Sequence, residues 1–178
     1  MSSNEYLFKI CAIGSGGVGK TSLIRRYAEN KFDKNYLPTL GVDITTKKIT
    51  IENNNIKLIL VDTAGQEFFG KLRPSYYRGA SACLIMFALD DKKSFEEVSE
   101  RWITEFRKYV PSTDIPIALA GNKKDKVQER KISFEEAKTI AQSFDMSYYE
   151  TSAKLGSSED LDPIFSGLAK QFLALHKQ

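Results

Sequence analysis

Residues 7–13 are mostly apolar, a glycine-rich stretch follows, and residues 21–29 mix apolar with charged side chains. That order predicts a strand, a loop and a helix. Residues 42–51 are rich in β-branched side chains, Asn53-Asn54-Asn55 offers turn chemistry, and the apolar run 56–61 ends at Asp62; a hairpin is expected there. Residues 82–89, 115–120 and 146–149 complete the strands. Helix starts are predicted at Ser94 with Glu97 and at Ser133 with Glu136, where a serine cap and a glutamate three residues on satisfy amides that the first turn leaves free. Residues 160–175 place apolar side chains at helical spacing. Alternating strands and helices predict an α/β fold: a mostly parallel six-stranded sheet with one antiparallel edge strand, helices on both faces, and ligands at the carboxyl ends of the strands.

A chain of 178 residues fits one domain, expected to span residues 1–178. Apolar residues make up 42% and charged residues 28%, ordinary globular values that favour neither disorder nor a membrane span. The longest mostly apolar run, residues 80–89, is about half the ~20 residues a bilayer requires. The first residues lack the pattern of an export signal, and Ser2 stands where myristoylation would need glycine. Cys11 and Cys83 each sit in an apolar run, which predicts buried, reduced thiols and a cytoplasmic setting. The net charge of +3 is small and the basic pairs stand apart, so nucleic acid is not expected as a partner.

Gly14-Ser15-Gly16-Gly17-Val18-Gly19-Lys20-Thr21 satisfies the pattern G-x-x-x-x-G-K-[ST] between a predicted strand and a predicted helix. Chance would supply that pattern in roughly one sequence in 150 of this length. The glycines let the backbone approach an anion with its amide hydrogens aimed at phosphate oxygens and the helix dipole behind them. Lys20 is placed to hold the β- and γ-phosphates, and the Thr21 hydroxyl to coordinate magnesium. Asp62, at the end of an apolar strand, is the candidate to assist that metal through a water. Gly65 could bring an amide to the γ-phosphate, and Gln66 could orient an attacking water.

Asp62-Thr63-Ala64-Gly65-Gln66-Glu67 resembles the second switch segment of Ras-superfamily small GTPases, and the likeness spans nearly the whole chain. The resemblance implies the small G-protein form of the fold, GTP and GDP as ligands, and a magnesium ion. It assigns Thr39, in Tyr36-Leu37-Pro38-Thr39-Leu40-Gly41, to the metal beside Thr21, and Phe32 to the side of the base. Nucleotide contacts are implied for Gly16, Gly17, Val18, Gly19, Lys20, Thr21, Ser22, Phe32, Tyr36, Thr39 and Gly65.

Asn122-Lys123-Lys124-Asp125 follows a predicted strand. Guanine presents a ring N1 hydrogen and an exocyclic amine, two donors that one aspartate accepts side by side, whereas adenine offers no such pair. Asp125 is therefore the candidate base reader. Asn122 could tie loops together, and the Lys123 stem could cover the ring. Glu150-Thr151-Ser152-Ala153-Lys154 resembles the family's last guanine loop, implying contacts from Ser152, Ala153 and Lys154, with the Ala153 amide at the base oxygen.

These readings predict a slow GTP hydrolase with Lys20 and Gln66 as its catalytic pair, switching shape with its nucleotide and acting in trafficking or transport-type regulation. No arginine is obviously aimed at the γ-phosphate, although Arg73 and Arg78 lie nearby in sequence. Expected partners are an exchange factor, an activating protein and effectors, contacting residues 34–48 and 65–80 of a monomer. Two rivals stand beside this reading: an adenine-using P-loop enzyme, which Asp125 opposes, and a nucleotide-stabilised interaction module with little or no hydrolysis, which Gln66 opposes. Leu40-Gly41-Val42-Asp43, Tyr76-Tyr77-Arg78-Gly79-Ala80 and Ser94-Phe95-Glu96-Glu97 with Trp102 resemble Rab proteins. Residues 39–42 and 66–73 resemble Ran as much, and Val61 and Ile44 depart from Rab custom. The sequence shows no C-terminal cysteine for a prenyl anchor, so membrane attachment is expected only with a longer tail. His176 is expected at a solvated helix end.

Overall fold

The computed structural model describes residues 5–35, 37–65 and 70–176. Strand β1 (Glu5–Gly14) sends Phe8, Ile10 and Ala12 to one face of the sheet and Cys11 and Ile13 to the other, as the two-residue period of a strand demands. Helix α1 (Lys20–Glu29) ends at Asn30, which takes the left-handed conformation and returns its N–H to the Arg26 carbonyl. Strands β2 (Val42–Ile51) and β3 (Asn54–Thr63) form the expected hairpin, paired from Val42 opposite Thr63 to Ile51 opposite Asn54. The turn is Glu52-Asn53, with φ of 48° and 65°, the sense that matches the twist of a two-residue hairpin loop. It therefore falls one residue earlier than the asparagine run implied. At the hairpin's open end, the Ala64 N–H donates to the Gly41 carbonyl at 2.9 Å.

Helix α2 (Arg73–Tyr77) was not foreseen; Pro74 sits in its first turn, where a missing N–H costs nothing. Strand β4 (Ala82–Ala88) is buried at all seven positions, which explains its unbroken apolar run. Helix α3 (Lys92–Glu97), a π-helical turn (Val98–Trp102) and helix α4 (Ile103–Tyr109) follow one another without a break.

The expected cap at Ser94 is corrected. Asp91 caps α3, its side chain accepting from the Ser94 N–H. Ser94 is the third helical residue; its hydroxyl donates to the Asp91 carbonyl at 2.8 Å and accepts from the Ala88 N–H at 3.0 Å. Glu97, freed from a capping box, takes the Ser15 hydroxyl instead. Aspartate caps as well as serine does, and the chain is already helical at Lys92, immediately after Asp91.

Strand β5 (Ile117–Asn122) starts two residues later than expected, because Pro116 has no amide to give the ladder. Helix α5 (Phe134–Ser143) carries the predicted capping box of Ser133 and Glu136. Strand β6 (Ser147–Glu150) and helix α6 (Ser158–His176) complete the chain close to their expected bounds.

The strands stand in the order β2-β3-β1-β4-β5-β6; only β2, at one edge, runs antiparallel. This is the predicted architecture. One face packs Phe8, Ile10, Leu58, Leu84 and Met86 under α1 and α6, through Leu23, Tyr27, Leu161 and Phe165. The other packs Ile13, Ile85, Phe87 and Leu119 under α2, the π turn, α4 and α5, through Tyr77, Trp102, Phe106 and Ala137. Cys11 and Cys83 face each other across β1 and β4 as buried free thiols, and burial pushes the Cys11 thiol up to about 12. Among the described residues no helix is long and apolar enough to cross a membrane. Helix α6 ends at His176.

Candidate functional site

The parallel strands finish along one edge of the sheet, and the loops after β1, β3, β5 and β6 meet there. Gly14 ends β1 with φ of 142°, and a Cβ at that position would run into the Met86 carbonyl. Gly19 caps α1 in the left-handed conformation, where a Cβ would strike the Asn122 side chain. Backbone shape and close approach together require glycine at both positions. The intervening loop wraps the Lys20 ammonium, which is 6% exposed and donates to the carbonyls of Gly14 at 2.7 Å and Ser15 at 2.8 Å. Burial pushes Lys20 down to about 8; the Asp62 carboxylate opposes that shift and Arg73 adds to it.

Three oxygen-bearing side chains converge beside that loop. The Thr21 and Thr39 hydroxyls lie 2.6 Å apart, Thr39 donates to Asp62 Oδ2 at 3.2 Å, and Thr21 donates to the same oxygen. Asp62 is 2% exposed, and its Oδ1 takes no hydrogen bond. Burial raises its pKa, against the hydroxyls of Thr21 and Thr39 and the Lys20 charge, which lower it. Two hydroxyls and a carboxylate with a spare buried oxygen are the hard donors that magnesium prefers. Gly65 is buried against the loop; its Cα faces the Gly14 carbonyl, the Ser15 carbonyl carbon and the Gly16 amide. Gly16, Gly17, Gly19, Lys20, Thr21, Ser22, Thr39, Thr63, Ala64 and Gly65 line a narrow cleft.

A second cleft, of about 800 Å³, adjoins the first and shares Gly17, Gly19 and Ser22 with it. Phe32, Asn122, Lys123, Asp125, Ala153 and Lys154 line its walls. Asn122, 2% exposed, is the knot of this region: its Nδ2 donates to the Val18 carbonyl at 2.9 Å, and its Oδ1 accepts from the Thr151 hydroxyl at 3.1 Å and the Ala153 amide at 3.2 Å. The Val18 side chain is buried in the core, so its contacts to a ligand are left to its backbone. The Ser152 hydroxyl donates to Asp125 Oδ1 at 2.6 Å, which fixes the carboxylate at the wall of the cleft. Arg26 donates to the carbonyls of Ala153 and Lys154, each at 3.0 Å, and stands 5.8 Å over the Phe32 ring.

Sequence reasoning thus named a set of residues that the fold gathers from four loops. Tyr36 and Gln66 lie outside the described residues. Three features went unforeseen. Asp90, just beyond β4, stands 3.7 Å from the Lys123 ammonium and 2.7 Å from that of Lys126; its place at a strand's carboxyl end was the available signal. Arg73 is 2% exposed and bound through two nitrogens to Glu105, at 2.7 and 3.0 Å, with its other terminal nitrogen 3.5 Å from the Ala64 carbonyl behind the phosphate cleft. Ser15 is tied by its side chain to Glu97 and Trp102.

A model of the Ras family matches residues 9–174. Ras-related protein Rab-1 of Theileria parva is 40% identical over 170 residues, covering 96% of this chain and 76% of its own. Ras-related protein Rab-13 of Rattus norvegicus is 40% identical over 169 residues, covering 95% and 81%. Ras-related protein Rab-21 of Homo sapiens is 38% identical over 172 residues, covering 97% and 75%. Because those matches take in all the loops that build the paired clefts, the chain belongs to the Ras family of small GTPases and is Rab-like within it.

Proposed function

We propose that residues 1–178 form one domain that binds GTP with magnesium, hydrolyses it to GDP and phosphate, and signals in trafficking-type regulation through segments that change shape with the nucleotide. The observation that carries this reading is the junction of the two clefts: a polyanion cradle and a base pocket share Gly17, Gly19 and Ser22, so one ligand with a phosphate end and a base end would fill both. Lys20 would exchange its two carbonyl partners for the β- and γ-phosphates, whose charge keeps it protonated. Thr21 and Thr39 would hold magnesium directly and Asp62 through a water; when bound, the metal neutralises charge on the phosphates. Both Asp125 oxygens would accept from guanine's two donors while the Ser152 hydroxyl on Oδ1 holds the carboxylate in plane, Lys123, Lys154 and Phe32 would cover the ring and ribose side, and the Ala153 amide would turn from Asn122 to the base oxygen.

Gln66 would orient the attacking water, and Gly65 would offer its amide to the γ-phosphate. With Arg73 held by Glu105, its guanidinium would not be free to neutralise the γ-phosphate, so intrinsic turnover would be slow and an arginine supplied by an activating protein would speed it. Gln66→Leu is expected to bind GTP normally and to slow single-turnover phosphate release by at least about 10-fold, the cost of a misplaced nucleophile. Equal rates in the two proteins would remove Gln66 from the chemistry and favour a binding module. Purified protein should carry guanine nucleotide; retained ATP or ADP would overturn the base assignment.

Asp90 would act on the same pocket by holding Lys123, whose backbone is left-handed with φ of 66°, over the ring. Burial pushes the Asp90 carboxyl up, but the Lys126 and Lys123 charges outweigh it and keep the group below its ordinary value. Asp90→Ala is expected to speed GDP release by about 2- to 5-fold, the strength of a partly exposed ion pair, with hydrolysis unchanged. Stopped-flow displacement of a fluorescent GDP measures this, and an unchanged release rate would sink it.

A further inference from the structure

Ser15 belongs to the glycine loop, yet its side chain serves neither cleft. Its hydroxyl donates to Glu97, the last residue of α3, and accepts from the Trp102 indole N–H at 3.2 Å. In an α-helix residues five apart point about 140° away from each other. The π turn removes that offset: the Ile103 N–H reaches back to the Val98 carbonyl, a bond five residues long, and Glu97 and Trp102 both meet Ser15. Such turns are rare inside α-helices and are found frequently at functional sites.

From Trp102 the contacts continue to the segment after Asp62. The Arg73 guanidinium lies over the indole at 5.1 Å, is forked onto Glu105, and points an N–H at the Ala64 carbonyl 3.5 Å away. Tyr77 donates to the same Glu105 carboxylate at 2.6 Å. Ala64 is followed by Gly65, whose Cα packs on the backbone of residues 14–16. The contacts therefore close a ring: loop to indole, indole to guanidinium, guanidinium to Ala64, and Gly65 back to the loop. Arg73 is 2% exposed and planar, with its fork already engaged, so it cannot follow Ala64 without disturbing the indole.

We propose that Trp102 and Arg73 are positioning residues which couple the phosphate loop at Ser15 to the hinge at Ala64-Gly65, so that moving the hinge toward the γ-phosphate moves the indole. This rests on the nucleotide-switch reading above. If the segment after Asp62 moves with the nucleotide as that reading has it, the ring gives the motion a contiguous path to the phosphate loop, the physical requirement for coupling between sites.

Trp102 is the only tryptophan in the chain, so its emission reports the ring directly. The full chain is loaded with magnesium and either GDP or a nonhydrolysable GTP analogue, and tryptophan emission is compared. A nucleotide-dependent change is expected, reduced at least by half in Ser15→Ala and restored in Ser15→Thr, which keeps the hydroxyl. Trp102→Phe, which retains an aromatic ring but no N–H, is expected to shift the ratio of GDP to GTP-analogue affinity by about 2- to 30-fold. Emission that changes equally in the Ser15→Ala protein overturns the coupling, as does an unchanged affinity ratio in Trp102→Phe. Emission identical in the two states, while amide exchange at residues 70–76 differs between them, overturns it and leaves the switch standing. Failure to bind either guanine nucleotide ends both.

Discussion

Asp125→Asn is expected to lose guanine nucleotide affinity by about 10²- to 10⁴-fold and to prefer xanthine nucleotide instead, since each hydrogen bond to a charged acceptor contributes about 1.5–3 kcal/mol. Ser152 occupies Asp125 Oδ1 and fixes the carboxylate plane, so the base meets a preset acceptor pair and not a mobile one. Asparagine replaces one acceptor with an amine, which then faces a guanine donor, and the mismatch costs more than the missing bond alone. Xanthine carries oxygen where guanine carries its amine and accepts from the new group. Competition of GDP and the xanthine analogue against a fluorescent nucleotide reads both effects, and undiminished guanine affinity would refute the assignment of Asp125.

Gly65→Ala is expected to keep GDP and lose the response to GTP. A Cβ at Gly65 would lie 2.6 Å from both the Gly16 amide nitrogen and the Ser15 carbonyl carbon, and closer still to the Gly14 carbonyl. These are backbone atoms of a loop fixed by strand β1 and helix α1, so they cannot swing aside as a side chain would. Overpacking of this kind costs about 1–3 kcal/mol, which corresponds to a 5- to 150-fold slowing of hydrolysis if the transition state requires the closed hinge. Single-turnover phosphate release gives the rate, and amide exchange at residues 70–76 in the two nucleotide states gives the motion. A variant that hydrolyses at the parent rate would show that the hinge does not close on the loop.

The parts of the site that sequence made legible are those whose geometry is local. Residues 14–21 sit in one turn, Asn122 and Asp125 in another, and spacing within a few residues determines what they can reach. The strands were legible because a sheet buried on both faces demands apolar runs, as at β4. Pro116 and the turn at Glu52-Asn53 moved boundaries by one or two residues, since backbone donors and φ, not hydrophobicity, set those limits. Ser94 was misread as a cap because Asp91 satisfies the same amides from its own place in the chain.

The Ser15, Trp102 and Arg73 contacts had no sequence signal at all. They join residues 87 apart for Ser15 and Trp102 and 32 apart for Arg73 and Glu105. They also depend on a π turn, whose single altered hydrogen bond leaves the pattern of apolar residues almost unchanged.

The hairpin of β2 and β3 holds a last consequence. Its open end is fastened from Val42 opposite Thr63 and by the Ala64 amide on the Gly41 carbonyl. Thr39 lies just before one arm and Gly65 just after the other, so the two segments that would sense the γ-phosphate leave the sheet from a shared yoke. Withdrawal of either one past Gly41 or Ala64 would have to break the hydrogen bond they share. Under the proposed nucleotide switch, a protein that grips either segment would sample both, and the output would be a conjunction of the two with little room for a half-way state.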